Sequence, residues 1–195
     1  LERPVLAVGG HLKNTFCLAQ GNLAFLGPHV GDLETLEAVS SLEESIERME
    51  RFLGIHPEIV AHDLHPDYAS TAYALERPEA IKIGVQHHHA HVVSALAEHG
   101  LDSPVIGVAF DGTGYGPDGA AWGGEVLVAT EGGFERVATL RPLPLAGGEV
   151  AIREVWRLAL AALMDAEIDE VGSTELAVFR SIGEGRLMTV RQMIA

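Results

Sequence analysis

Apolar residues recur in the first hundred positions at spacings typical of short strands and of helices. Three runs, PVLAVGG, NTFCLAQ and LAFLGPH, predict β-strands joined by glycine-containing turns. Four apolar residues at helical spacing predict a helix over residues 41–53, with Ser41 and Glu44 as its capping box. EIVAH and AIKIGV predict two further strands, DYASTAYALE predicts a helix, and a last helix ends at Gly100. The predicted order is βββαβαβα.

The same pattern begins again after residue 103. PVIGVAFDG, WGGEVLVAT and FERVATL predict three strands, the first of them buried, and AIREVWRLALAALMDA predicts one apolar helix. The sequence therefore predicts a duplicated α/β fold whose second copy is truncated. We expect a first lobe over residues 1–103 and the incomplete start of a second lobe over residues 104–195. Strands 81–86 and 105–110 are expected to be central in their sheets, and the tail from residue 167 to contain two short helices.

Composition narrows the classes of function. The net charge is −15, because 13 Lys and Arg stand against 28 Asp and Glu. So few cations argue against a role in binding nucleic acid, whose phosphates are bound by Lys and Arg. Neither an apolar run of membrane-spanning length nor a signal peptide is visible, so we expect no membrane association. The single cysteine, Cys17, fits the cytoplasm and is expected to be buried and inert.

Four of the ten histidines lie within the six residues QHHHAH, at positions 86–91. His87 and His91 are four residues apart, so on a helix both side chains project from one face and can reach one ion. His88 is a candidate substitute ligand, whereas His89 lies roughly on the opposite side. The alternative is a solvated start of a helix in which the histidines only cap and hydrogen-bond. The position directly after an apolar strand favours a metal site or a catalytic site.

Asp111 is the carboxylate expected to join the two histidines. It ends the strand VIGVAFDG, and a carboxylate in that position must face a cleft, an ion or a capped turn. The alternative is that Asp111 only caps the turn through neighbouring amides. Two histidines and one aspartate suit iron or zinc, and the sequence does not choose between them.

Glycines are dense between residues 111 and 125, where their backbone amides could approach phosphate oxygens. A glycine-rich hairpin without ligand is the alternative. The residues predicted to bind the nucleotide are Gly112, Thr113, Gly114, Gly116, Gly123 and Gly124. In the corresponding turn of the first copy, GGHLKNT, His11 could bind a polar ligand or decorate an exposed turn. HDLHPDY is another polar segment after a strand, and its His-Pro step is expected to shape a loop.

Several motifs together resemble one family. AVGGHLKNTFCL, HDLHPDY, VQHHHAH, AEHGL, VIGVAFDGTGYGPDGAAWGGE and REVWRLAL look like the first part of the C-terminal domain of the HypF hydrogenase-maturation carbamoyltransferases. That domain is shared with the tRNA-modifying TsaD proteins. The resemblance covers residues 1–165 and implies the duplicated ribonuclease-H-like fold of the actin and sugar-kinase (ASKHA) superfamily.

The resemblance also implies an activity. Such enzymes make carbamoyl adenylate from carbamoyl phosphate and ATP, and pass the carbamoyl group to the C-terminal cysteine thiol of HypE. There it becomes the cyanide ligand of nickel–iron hydrogenases. The family's divalent metal ligands correspond to His87, His91 and Asp111, and we assign His11 to the carbamoyl or phosphate end of the site. A fourth ligand of the family, an aspartate further along the second lobe, has no counterpart in this sequence.

Three further expectations follow from that comparison of motifs. The full-length protein should be an enzyme, the isolated chain should be inactive, and its open sheet edges should favour self-association. The alternatives are an O-carbamoyltransferase, a TsaD-type tRNA enzyme, or a non-catalytic metal-binding module.

Overall fold

Strands and helices alternate in the computed structural model, which describes residues 1–78, 81–168 and 176–195. The strands are β1 (Val5–Ala7), β2 (Cys17–Gln20), β3 (Leu23–Leu26), β4 (Ile59–Asp63), β5 (Ile81–Val85), β6 (Val105–Tyr115), β7 (Ala121–Thr130) and β8 (Gly133–Thr139). The helices are α1 (Leu36–Leu53), α2 (Ala69–Glu76), α3 (His87–His99), α4 (Glu149–Arg153), α5 (Trp156–Asp165) and α6 (Glu184–Ile194). The predicted order βββαβαβα is confirmed.

The first five strands form one mixed sheet in the order β3-β2-β1-β4-β5. β1, β2 and β3 pair antiparallel, whereas β4 and β5 run parallel to β1. The carboxyl ends of β1, β4 and β5 therefore lie at the same edge of the sheet, where α/β proteins commonly bind ligands. The segments that follow these strands begin at that edge.

The core of this sheet is made by the inward side chains of the strands and by α1. Leu6, Leu18 and Val60 are fully buried in neighbouring strands. They pack in one cluster with Leu42 and Ile46 of α1, which have no exposed surface either. Burying each such side chain contributes about 1.5–3 kcal/mol.

Helix α1 begins earlier than the sequence predicts. Thr35 is its N-cap, because the Thr35 hydroxyl accepts a hydrogen bond from the Ala38 N–H at 3.2 Å. The predicted capping box at Ser41 is wrong, since Ser41 lies inside the helix. The start of the helix escaped detection because its first residue, Leu36, has 84% of its surface in solvent. Ala38 and Val39 are the first residues of α1 that pack against the core.

Strands β6, β7 and β8 form a second, antiparallel sheet in that order. Helix α3 packs on one of its faces, where Val92 clusters with Trp122, Leu127 and Ala129. The antiparallel β1-β2-β3 arrangement recurs here, and helices again follow it in the chain, as expected for a duplicated ribonuclease-H-like fold.

The prediction that β6 is buried is wrong for one of its faces. Gly107 and Ala109 are buried, and a side chain at Gly107 would collide with Val92 of α3. Ile106, Val108 and Phe110 point the other way and are more than half exposed. Small residues therefore admit the helix on one side, while the large residues cover the other face of the strand.

β5 and β6 are edge strands, contrary to the prediction that both are central. Each pairs with one neighbour among the strands that the structure describes, β5 with β4 and β6 with β7. Apolar composition misled the prediction, because Ile81 and Ile83 of β5 are about half exposed. Self-association through these edges stays a prediction.

The chain divides into two compact units, Leu1–Thr139 and Leu140–Ala195. The predicted boundary between residues 103 and 104 separates two copies of a repeated pattern of elements, whereas these units are defined by compactness. The predicted boundary therefore stays a prediction. No helix in the described parts of the chain is both long and apolar enough to cross a membrane.

In the second unit, the single helix predicted over residues 151–166 is two helices, α4 and α5. The helix breaks after Arg153, where Glu154 has a φ of −101° and a ψ of 74°, outside the helical region. Trp156 and Leu160, four residues apart on one face of α5, lie in a small core with Phe179. Of the predicted tail helices, α6 and a 3₁₀ turn at Ala177–Phe179 are present, whereas residues 169–175 lie outside the described residues.

An ion pair between Glu125 of β7 and Arg136 of β8 links these two strands of the second sheet. Glu125 is 1% exposed and accepts hydrogen bonds from Nε and Nη2 of Arg136 at 2.6 and 3.0 Å. The Arg136 guanidinium also lies 4.1 Å from the centre of the Trp122 ring. Burial opposes ionisation of Glu125, but the hydrogen bonds from Arg136 and from the Gly123 N–H outweigh it and lower the pKa of this carboxyl.

Replacing Arg136 by alanine should destabilise the first unit by about 3 kcal/mol, because it leaves the Glu125 carboxylate buried without its partner. Urea unfolding followed by amide hydrogen exchange in β7 measures this loss. Arg3→Ala is the control, since the Arg3–Glu58 pair is 3.6 Å long and more than half exposed, and should cost less than about 1 kcal/mol. Equal losses for both variants would contradict the assigned role of the buried pair.

Candidate metal and nucleotide site

His87 and His91 lie in the first turns of α3, directly after β5. Gln86 is the N-cap of this helix, and its side-chain oxygen accepts the His89 N–H at 2.9 Å. The rings of His87 and His91 have centroids 4.9 Å apart. Asp111 Oδ2 lies 2.9 Å from His87 Nε2 and 3.5 Å from His91 Nε2. The structure therefore brings the three predicted ligands together.

The geometry of these three side chains suits a divalent cation. One atom from each can be chosen so that all three lie within 4.8 Å of one another. Two ligands of a tetrahedral zinc ion, each about 2.1 Å from the metal, lie about 3.4 Å apart. The distances of 2.9 and 3.5 Å to Asp111 are close to that value. His91 is more than half exposed, so one side of the cluster is open to a ligand. The residues fit the ion, and their role as ligands stays a prediction.

A β-bulge places Asp111. The pairing of β6 with β7 is interrupted between Phe110 and Gly114, which removes Asp111 from the ladder. Asp111 Oδ1 accepts the Gly112 N–H at 2.7 Å, so the residue does cap its own turn. Its other oxygen, Oδ2, faces the histidines. The two interpretations of Asp111 are therefore compatible, because each uses a different oxygen.

His88 and His89 point away from this cluster into the second sheet. His88 is fully buried, and its Nε2 lies 2.9 Å from the Gly123 carbonyl. His89 Nε2 lies 2.7 Å from the Thr130 carbonyl. The suggestion that His88 could substitute as a ligand is thus wrong, because its nitrogens contact Gly123 and Gln86. Burial lowers the pKa of His88, which favours the neutral ring.

Asp63 is a member of the site that the sequence did not predict. It is the last residue of β4 and only 8% exposed, and its Oδ2 lies 2.6 Å from His87 Nδ1. A carboxylate at the end of an apolar strand, the signal used for Asp111, was present in EIVAHD as well. Asp63 was instead interpreted as part of the polar segment HDLHPDY, which was expected to shape a loop.

The two carboxylates and the ring influence each other's ionisation. The hydrogen bond from His87 to Asp63 raises the pKa of His87, against the opposing effect of burial. Burial favours protonation of Asp63, but hydrogen bonds from His87 and from the His65 N–H outweigh it, and the pKa of Asp63 is lowered. In the absence of a cation the cluster therefore favours a protonated His87 between two carboxylates.

His11 lies in a stack of rings beside the cluster. Its ring is 5.2 Å from that of Tyr68, which lies parallel to His65 at 4.1 Å. The centroid of the Tyr115 ring lies 5.2 Å from that of His65, with the two rings edge to face. His11 Nδ1 is buried and has no hydrogen-bond partner among the described residues, and the role of His11 at the carbamoyl or phosphate end stays a prediction. Burial and then the charges of Asp63 and Asp111 raise the pKa of Tyr68.

Two of the glycines predicted to bind nucleotide, Gly114 and Gly116, leave no room for a side chain. A Cβ at Gly114 would lie 2.6 Å from the His88 ring, and one at Gly116 would overlap Trp122 and Asp118. Gly123 supplies the carbonyl for His88, and the Gly124 carbonyl accepts the Thr139 hydroxyl at 3.3 Å. Gly112 has open space around it. Thr113 lines a small pocket of 250 Å³ with Gly114, Tyr115 and His65. Nucleotide binding by this segment stays a prediction.

A larger pocket of 470 Å³ opens beside the cluster at the carboxyl ends of β1, β4 and β5. His87, His91 and Asp63 line one side of it, and the turn after β1 lines another with Gly9, Gly10 and Lys13. Lys13 has a left-handed φ of 49°, and its N–H donates to Asp32 Oδ1 at 2.8 Å. Lys13 thus lines the pocket with its backbone in a conformation that non-glycine residues rarely adopt.

Two family models match consecutive parts of the chain. The HypF Kae1-like domain matches residues 1–98, and the second subdomain of the carbamoyltransferase Kae1-like domain matches residues 107–195. The chain therefore belongs to the HypF family.

Individual relatives agree with the family models. Carbamoyltransferase HypF2 of Cupriavidus necator is 51% identical over 162 residues, which are 82% of this chain and 20% of the relative. A HypF homolog of the same organism is 41% identical over 98% of the chain and 49% of its own length. A crystal structure of full-length HypF in the phosphate- and nucleotide-bound form superposes with a TM-score of 0.88 at 43% identity, over 100% of this chain and 25% of that one. The chain thus spans between a fifth and a half of these relatives.

Proposed function

We propose that this chain forms the metal-binding core of a carbamoyltransferase that moves a carbamoyl group from carbamoyl adenylate to a thiol. The convergence of His87, His91 and Asp111, in a chain of the HypF family, is the observation that carries the proposal. The donor would be made from carbamoyl phosphate and ATP by the full-length enzyme. The acceptor would be the C-terminal cysteine of a HypE-like protein.

The proposed reaction is an acyl transfer from a mixed anhydride. The thiolate sulfur attacks the carbonyl carbon, a C–S bond forms, and the bond from that carbon to the phosphate oxygen breaks. AMP leaves with the bonding electron pair, and the product is a thiocarbamate. The site therefore has to hold the phosphate and stabilise charge that develops on its oxygen.

The residues around the larger pocket suit these tasks. Lys13 and the backbone of Gly9 and Gly10, which line this pocket, could contact the phosphate. We assign His11, in the same segment, to the carbamoyl or phosphate end, where its buried Nδ1 would have to become accessible to a ligand. The side chains of His87, His91 and Asp111 would hold a divalent cation, either zinc or iron. When bound, such a cation acts as a Lewis acid toward a phosphate or carbonyl oxygen.

The adenosine part of the donor would lie toward the glycine-rich segment. The pocket beside Thr113 and the open space at Gly112 support this proposal. The full-length HypF named above binds phosphate and a nucleotide in its crystal structure, which supports a nucleotide as part of the donor. A reaction that consumes ATP and needs a reduced acceptor thiol favours a cytoplasmic location.

A chimera tests the proposal directly. This chain would replace the matching segment of Cupriavidus necator HypF2, and the chimera would receive carbamoyl phosphate, ATP and a peptide that ends in cysteine. Mass spectrometry should detect the carbamoylated thiol. Asp111→Ala in the chimera should lower the rate on the order of 100-fold or more, as expected when a group that stabilises transition-state charge is lost.

The control is Asp102→Ala, which removes an exposed carboxylate from the loop between α3 and β6. It should leave the rate unchanged. An active chimera whose rate is equally unaffected by Asp111→Ala would contradict the proposed role of the cluster.

A further inference from the structure

Asp63 lies at a junction between the candidate metal site and a neighbouring loop. Both of its carboxylate oxygens have a partner. Oδ2 lies 2.6 Å from His87 Nδ1, and Oδ1 accepts the His65 N–H at 2.8 Å. The side chain is 6% exposed, and a carboxylate so deeply buried is costly unless it is hydrogen-bonded. These two contacts therefore fix the position of the carboxylate.

The contact with Nδ1 determines what the other nitrogen of His87 can do. A neutral imidazole carries one proton, and a proton that Nδ1 donates to Asp63 leaves the lone pair on Nε2. Nε2 is the nitrogen that lies 2.9 Å from Asp111 Oδ2. A metal-binding histidine typically donates its other ring N–H to a carboxylate, which fixes both the tautomer and the ring orientation.

We propose that Asp63 is a positioning residue for the metal site, because its carboxylate holds the His87 ring with Nε2 free to bind a divalent cation beside Asp111. This inference rests on the proposed function, in which His87 is a ligand. It assigns a role to Asp63 that is separate from those of the three ligands. In this arrangement Asp63 would not contact the ion itself.

Asp63 also holds the loop that carries the ring stack, and a purely structural role is therefore the competing explanation. Its backbone carbonyl accepts the Thr71 hydroxyl at 3.2 Å, and the His65 N–H bond fastens the start of the loop. A substitution that simply loosened this loop could weaken the site without any effect on the His87 tautomer. The test must separate these two explanations.

Asp63→Asn separates them, because the amide has nearly the same shape but only one acceptor oxygen. The backbone N–H of His65 can only donate a hydrogen bond, so the amide oxygen should turn toward it and accept that bond. The amide NH₂ then faces His87 Nδ1, and the ring should move its proton to Nε2, where it blocks the metal. The zinc affinity of the chain should fall about 10–100-fold.

Two measurements on the 195-residue chain are needed, namely zinc affinity by competition with a chromophoric chelator, and long-range ¹H–¹⁵N spectra of the metal-free histidine rings at alkaline pH. We expect the Nδ1–H form of His87 in the wild type and the Nε2–H form in Asp63→Asn, with its fold retained by circular dichroism. Asp67→Asn, which changes an exposed carboxylate of the same loop, should alter neither.

Each result decides the inference. Weaker zinc binding with the altered tautomer supports it. Unchanged zinc affinity in Asp63→Asn, or weaker affinity with the Nδ1–H form retained, overturns it and leaves the proposed function standing. A wild-type chain that binds no zinc and no ferrous iron overturns both the metal site and the role given to Asp63.

Discussion

Replacing His91 by alanine should lower the affinity of the chain for Zn²⁺ on the order of 100-fold or more. Loss of an outer-shell partner typically costs about 10–100-fold in metal affinity, and a side chain that contacts the ion should cost at least as much. His91 Nε2 lies 3.5 Å from Asp111 Oδ2, and its side chain is 57% exposed. The substitution therefore removes a candidate ligand while little packing is lost.

The matched control for this prediction is His99→Ala. His99 lies in the last turn of the same helix and is exposed, so it shares the residue type and the element but not the cluster. Competition titrations should give wild-type affinity for His99→Ala and strongly weakened binding for His91→Ala. If zinc binds both variants equally well, the ion is held elsewhere and the ligand assignment is wrong.

The part of the site carried by one helix was predictable from the sequence. Residues four apart share a helix face, and that rule alone placed His87 and His91 together. Asp111 was predicted as the carboxylate that joins them because it is a polar residue at the end of an apolar strand. These inferences needed only local periodicity and the principle that a buried carboxylate must have a partner.

The part that depends on sheet pairing was not predictable in the same way. Asp63 contacts His87 across 24 positions of sequence, because β4 and β5 pair in parallel and end at the same edge. The sequence indicated both strands but not that pairing. His88 was misjudged for a related reason, since its partner is a backbone carbonyl of β7, which carries no signature in the sequence.

The fold shows the same division between local and long-range information. The order of elements in the first lobe followed from apolar spacing and from Gly100, whose φ of 58° ends α3 as expected. The edge positions of β5 and β6 did not follow, since an apolar run looks alike in a central strand and at an edge. The start of α1 at Leu36 was missed because Leu36 and Glu37 are exposed, and the helix packs against the core only from Ala38 onward.

The isolated chain should not accelerate carbamoyl transfer measurably, in contrast to the chimera with full-length HypF2. In the described residues three candidate ligands converge, and the larger pocket is bounded by the turn after β1, by β4 and by α3. Catalysis of acyl transfer depends on preorganised groups that surround the reacting atoms, and poor orientation of bound reactants costs orders of magnitude in rate. The chain spans 20% of HypF2, and the family resemblance assigns a fourth ligand to a more distant segment.

The test supplies preformed carbamoyl adenylate and a peptide that ends in cysteine, with and without the zinc-loaded chain, and follows the thiocarbamate by mass spectrometry. Supplying the adenylate separates the transfer step from the synthesis of the donor. The chimera, in the same assay, should accelerate transfer by several orders of magnitude over the chain alone. Acceleration by the isolated chain that disappears in His91→Ala but persists in His99→Ala would contradict this prediction. It would mean that the His87, His91 and Asp111 cluster and its pocket suffice for the transfer step.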